Sequence, residues 1–270
     1  MTGERTVRAG MRGDGTSAIE MRHSYSTKNG LGKQPVGSPE RSKLCPKIIL
    51  EGTRLTLKTE IAFALNEHPR IVGPRKYRYH SPLISAEWCA FTNVPWGRGP
   101  INFRPEESDR AMEVYRTWLR LFELLPYYSW IVDRFHVSTA VYQRRVHGTE
   151  VDFRWLEEGL LRLGFRLVFC RRSPASFAAA RARRLEVSGN PAQYDDLGLF
   201  IREQEEFEAA LSRSALPLLS LDVSDSDVAG AVEKIADWLE STGGLWAPEA
   251  GPPRRGANGR KSPYIQRVHA

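Results

Sequence analysis

The chain has 270 residues, 41% of them hydrophobic and 26% charged, which is enough apolar material for one sizeable core. No apolar run approaches the roughly 20 residues of a membrane-spanning helix, and the N-terminus lacks the apolar stretch of a secretory signal, so no membrane partner is expected and a cytoplasmic setting fits. The formal net charge of +7 sits at the ends: residues 1–43 carry eight Lys and Arg against four Asp and Glu, and residues 243–270 five against one. The stretch between them is close to neutral and reads as a poor nucleic-acid surface. Cys45, Cys89 and Cys170 are odd in number and widely spaced, which argues against a disulfide framework and a zinc site.

Residues 1–43 are rich in Gly, Ser, Thr and charge and read as a disordered basic extension; residues 243–270, punctuated by Pro and Gly, read as a flexible basic tail. Residues 44–242 alternate short apolar runs with helical patterns, the signature of an α/β domain with a parallel sheet. A strand over 47–50 leads through Glu51-Gly52 to a helix over 58–67. A short second strand is expected at 70–72, then an irregular stretch, 74–104, rich in aromatics and prolines. Helical spacing of Met112, Tyr115, Leu119 and Phe122 predicts a helix over 106–125. A third strand, 129–132, stops at Asp133-Arg134. Helices over 136–145 and 152–163 precede a fourth strand at 166–170. Helices over 174–187 and 198–213 lead to a fifth strand at 218–221, and a last helix runs over 227–241.

The segment KIILEGTRLTLKTEIAFAL holds the most chemistry. A strand runs into Gly52, and Lys58-Thr59 opens the helix that follows, as in the phosphate-binding loop G-x-x-x-x-G-K-[ST]. The backbone of Gly52, Thr53, Arg54, Thr56 and Leu57 would cradle a polyphosphate at the helix start. Lys58 would add a charge at its β and γ oxygens, and Thr59 a hydroxyl for Mg²⁺. Leu57 replaces the second glycine of the pattern, where glycine lets the backbone approach phosphate. It retains an N–H and can hold helical dihedrals.

Further along, YSWIVDRFHVSTAVYQ sets Asp133-Arg134 at a strand end, before a helix that carries Ser138, Thr139 and Tyr142. With the loop above, this resembles the thymidylate kinase and deoxynucleoside kinase group of P-loop kinases. The resemblance implies that Arg134 contacts donor and acceptor phosphates, and that Asp133 lies near the metal or the accepting oxygen. Similar kinases also close an Arg-bearing helix over the ATP phosphates after the fourth strand. Here that place holds Arg172, Arg181, Arg183 and Arg184, of which Arg181 is assigned to catalysis and Arg172 and Arg184 to phosphate binding.

The acceptor would face GPRKYRYHSPLISAEWC, where Arg75, Tyr77 and Arg78 alternate charge and ring, and where Glu87 and Trp88 follow. Rings could stack on a base while cations hold phosphate, although alternation equally describes a half-exposed strand. The segment lacks the E-P-G-type sequence of thymidylate kinases. The expectation is a three-layer α/β/α P-loop fold with a five-stranded parallel sheet and an Arg-rich helical lid. The expected reaction is phosphoryl transfer from ATP with Mg²⁺ to a nucleoside, nucleotide or similar small acceptor. Two alternatives stand beside it, a regulatory nucleotide-binding protein on the same fold and a kinase for a natural-product or sugar acceptor. The sequence leaves a homodimer open.

Overall fold

A computed structural model of the chain describes residues 44–72, 81–93 and 97–246. All lie in the unit Glu40–Ala270; the other unit, Met1–Pro39, is outside the described residues. Five strands, β1 (Lys47–Glu51), β2 (Leu83–Ser85), β3 (Ile131–Asp133), β4 (Phe165–Arg171) and β5 (Leu218–Asp222), form one sheet in the order β2-β3-β1-β4-β5. Every neighbouring pair is parallel, with Ile49 opposite Val132 on one side and Leu167 on the other. The carboxyl ends of all five strands therefore meet at one edge, where open parallel sheets bind ligands.

The strands alternate their side chains between two cores, as a period of two requires. Ile49, Val132, Leu167 and Phe169 face α3 (Ser108–Leu124), α4 (His136–His147), α5 (Arg154–Arg162) and α7 (Leu197–Leu211). Ile48, Leu50, Ile131, Val168 and Cys170 face α1 (Lys58–Glu67), α2 (Pro69–Val72) and α8 (Val228–Ser241). Helices on both faces of a parallel sheet make three layers. Both faces of β1 and β4 are covered, so nearly every position in them is buried. A third, smaller cluster joins Phe177 on α6 (Phe177–Leu185) to Tyr194 and to Phe200 on α7, and Leu55 packs against it.

Three expectations need correction. Residues 70–72 are helical, not a strand, because Pro69 fixes the backbone of a first helical turn after His68. The second strand is instead Leu83–Ser85, three residues at the sheet edge inside the stretch read as irregular. The chain also stays packed past residue 242: the Leu44 N–H donates to the Leu245 carbonyl at 2.9 Å, and Leu245 is buried against the α1–α8 core. Among the described residues, no helix is long and apolar enough to cross a membrane.

Candidate active site

The loop between β1 and α1 is shaped by backbone that side chains resist. Gly52 has φ 140, and a Cβ there would lie 2.4 Å from the Cys170 carbonyl oxygen of β4, so only glycine fits. Leu55 and Leu57 both hold positive φ, at 66 and 56. The helical dihedrals expected of Leu57 are not those it adopts: it caps α1 in the left-handed region, where an L side chain costs about 1–2 kcal/mol. The position asks for the glycine it lacks, and the leucine bears the strain.

Within the loop, the Thr56 hydroxyl donates to the Thr53 carbonyl at 2.8 Å. The Lys58 ammonium, only 6% exposed, donates to the same carbonyl at 2.5 Å and to Thr56 Oγ1 at 3.2 Å. Lys58 thus curls over its own loop. Burial, followed by the nearby Arg134 guanidinium, pulls it down to about 8. The buried Thr53 hydroxyl donates to the Glu203 carboxylate of α7.

At the neighbouring strand end, Thr59 Oγ1 donates to Asp133 Oδ2 at 2.7 Å. The other carboxylate oxygen, Oδ1, is buried and has no hydrogen-bond partner. Burial pushes Asp133 up from the ordinary aspartate value, against the pull of Lys58, Thr59 and Arg134. A hydroxyl beside a carboxylate with a spare oxygen is a hard-oxygen donor set that suits Mg²⁺. That ion takes one or two protein ligands and completes its shell with phosphates and water. Among the described residues no group of three or more His, Cys, Asp or Glu side chains forms a fuller cage.

Arg134 follows in a left-handed backbone, φ 59, with its N–H on the Leu50 carbonyl at 2.9 Å. Its Nε lies 3.0 Å from Glu87 Oε2, an ion pair by distance in which the N–H does not point at the oxygen. Arg54 approaches the other Glu87 oxygen at 3.9 Å. Burial raises Glu87, but Arg134, Lys58 and Arg54 outweigh it and hold the carboxyl below the usual glutamate value. Behind Arg134 stands Glu51, whose Oε1 accepts from the N–H groups of Phe135, Val137 and Ser138 at 3.0, 3.1 and 3.3 Å. Its Oε2 accepts the Ser138 hydroxyl at 2.5 Å.

The arginines after β4 divide. Arg172 is fully buried and braces the loop, its Nε donating to the Leu55 carbonyl at 3.0 Å and its Nη2 to Ser226 Oγ at 3.2 Å. Arg181, assigned to catalysis from the sequence, turns away from the cavity. It donates to the Tyr194 carbonyl at 2.9 Å and to Asp195 at 2.5 Å. Two positions further along a helix with 3.6 residues per turn lies the opposite face, so Arg183 lines the cavity instead. Among the described residues Arg183 has no hydrogen bond or ion pair. Arg184 lines the cavity too, held by the Tyr194 hydroxyl at 3.1 Å and by Glu60 at 3.1 Å.

The site is an open cleft of about 720 Å³, bounded by the loop, Glu87, Trp88, α4, α6 and α7. Trp88, 56% exposed, stands at its wall. Arg75, Tyr77 and Arg78 lie outside the described residues. Sequence reasoning missed Glu51, Glu203 and Arg145, and it named Arg183 among the lid arginines without assigning it a role. A signal existed for two of them: Glu51 is a carboxylate ending an apolar strand, and Glu203 with Gln204 sits among Phe200, Phe207 and Leu211 on the buried face of α7.

A five-stranded parallel sheet in this order, helices on both faces, and a glycine loop running from the central strand into a Lys-Thr helix start define a three-layer P-loop kinase fold. Solved structures agree. The chain is similar to the YorR protein of Bacillus subtilis in complex with phosphorylated GDP, with a TM-score of 0.50 and 18% identity over 73% of this chain and 97% of that one. More distant likenesses are shikimate kinase from Bacteroides thetaiotaomicron (TM-score 0.42, 15% identity, 74% and 99% covered) and deoxyadenosine kinase from M. mycoides with bound dCTP (0.40, 14%, 72% and 99%). No protein-family model and no curated protein matches the sequence.

Proposed function

We propose that this domain transfers the γ-phosphoryl group of ATP to a hydroxyl of a small acceptor, a nucleoside or a compound of similar shape. The observation that carries this reading is the Glu87–Arg134 ion pair facing the lysine of the loop, with Thr59 and Asp133 beside it. A carboxylate held below its ordinary value is ionised at neutral pH. It can take a proton from a hydroxyl. The resemblance of the Asp133-Arg134 segment to the deoxynucleoside kinase group supports the same acceptor class.

In the proposed reaction the acceptor oxygen bonds to the γ-phosphorus as the bond from that phosphorus to the β,γ-bridging oxygen breaks. The hydroxyl proton passes to Glu87, and ADP leaves. Arg134 lies between donor and acceptor and neutralises charge spreading over the equatorial oxygens; Lys58 holds the β and γ oxygens, and Arg183 covers them from α6. Thr59 and Asp133 would hold Mg²⁺, which screens the polyphosphate charge. Positioning and electrostatics supply most of the rate in such a reaction.

A second reading has its own observation. With Leu57 in a strained left-handed turn and Lys58 bonded to its own loop, the fold could serve as a nucleotide sensor that transfers nothing. Purified protein with MgATP and a panel of nucleosides and sugar alcohols separates the two by ADP release. The proposed enzyme turns over with at least one hydroxyl acceptor, and Lys58→Ala lowers that rate by about 10²-fold or more. Nucleotide binding without turnover favours the sensor, and equal activity in Lys58→Ala removes the loop from the mechanism.

A further inference from the structure

Seven cationic side chains line the cavity, and three carboxylates share it. Glu60 pairs with Arg184, and Glu87 pairs with Arg134 on the acceptor side. The third, Glu203, has no role in the transfer just described. It is 6% exposed, it lines the same space as Lys58, and both its oxygens are engaged. Oε2 accepts the Thr53 hydroxyl of the phosphate loop, and Oε1 lies 2.8 Å from Arg145 Nη2 on α4. Arg134 is also close enough to stabilise its charge.

These are the partners a phosphate group would want: a loop hydroxyl and guanidinium groups at a helix-lined wall. We infer that Glu203, which holds partners that a phosphate oxyanion would take and ties the loop to α4 and α7, sets nucleotide affinity, because a bound polyphosphate must displace it or tolerate its charge. The inference rests on the phosphotransfer reading and assigns Glu203 as a residue that determines affinity, not as a catalytic one. Burial tends to raise a carboxyl's pKa, yet Arg134, Thr53 and Arg145 hold Glu203 below the ordinary value, so it carries a full negative charge at neutral pH. Two like charges at close range repel, and the repulsion grows with the charge of the ligand.

Glu203→Gln tests this, since it keeps the shape and one acceptor oxygen for Thr53 while removing the charge. Arg145 would keep a partner, because Glu206 lies 3.3 Å from its Nη1. Glu203→Met, of similar volume, carries the same expectation should the amide variant fold poorly. Calorimetry with adenosine, ADP and ATP, each with Mg²⁺, should show ATP bound about tenfold tighter by the variant, ADP by less, and adenosine unchanged. A uniform change across the three ligands, or equal or weaker ATP binding, overturns the inference and leaves the phosphotransfer reading standing. Absence of ATP binding to wild type and variants alike, at millimolar nucleotide, overturns both.

Discussion

Lys58 must be charged to serve a polyphosphate, and its surroundings work against the charge. Burial comes first and the Arg134 guanidinium second, bringing it from 10.5 to about 8, while Asp133 and Glu87 pull the other way. Because the folded value lies below the unfolded one, the unfolded chain binds more protons between those two values. Stability linked to Lys58 therefore rises with pH across that window. Nucleotide affinity runs in the opposite direction, since it needs the ammonium. From about pH 8 upward it should fall by about tenfold per pH unit, whereas Lys58→Arg, charged throughout, should bind with little pH dependence. Calorimetric titration with MgATP from about pH 7 to about pH 9.5 checks this. A wild-type curve as flat as that of the arginine variant would mean that the Lys58 charge does not contribute to binding.

At the scale of elements, the site depends on how β1 is fastened to α4. Glu51 ends β1 and takes the first N–H groups of α4, which no earlier turn of helix can satisfy. That joint holds Arg134 in its left-handed backbone, a conformation that persists only where its surroundings fix it. Glu51→Ala would leave several buried donors unpaired and should cost about 3 kcal/mol or more, read by urea denaturation. A loss below about 1 kcal/mol would mean that water or a shifted α4 satisfies those groups. Elements of this kind were legible in the sequence where apolar runs end in Gly, Asp or Ser. β1, α1, β3, α4, β4, β5 and α8 lie within about two residues of their expected places. β2 was not legible, because three residues at a sheet edge carry no periodicity. Thr59, which opens α1, and Asp133, which ends β3, stand 74 residues apart and could be matched through the P-loop pattern and the family resemblance, each carried by a local motif. Thr53 and Glu203, 150 residues apart, could not, because nothing local marks a helix glutamate as the partner of a loop hydroxyl. The face of α6 that holds Arg181 was decided by packing on Tyr194, which spacing within the arginine run does not reveal.

For the whole molecule, the cavity joins parts that belong to different cores. The loop and α1 pack with the α8 side of the sheet, α4 and α7 with the other side, and Leu55 ties the loop to the small cluster under α6. A polyphosphate held by Lys58, Arg134 and Arg183 would touch all three. Ligand that binds only the folded chain stabilises it by about 2.7 kcal/mol at a hundredfold excess over Kd. In a domain of this size each kcal/mol moves Tm by about 2–4 °C, so saturating MgATP should raise Tm by about 5–10 °C. Scanning calorimetry should show one transition that moves as a unit, since both cores share the strands of one sheet. Two transitions, of which only the first responds to nucleotide, would mean that α6 and its cluster melt apart from the sheet. Lys58→Ala should keep the nucleotide-free Tm near the wild-type value, because the substitution removes a buried charge, and lose most of the upward shift. That combination separates a fault in nucleotide binding from a fault in folding. A wild-type Tm indifferent to millimolar MgATP would set the fold apart from nucleotide use altogether.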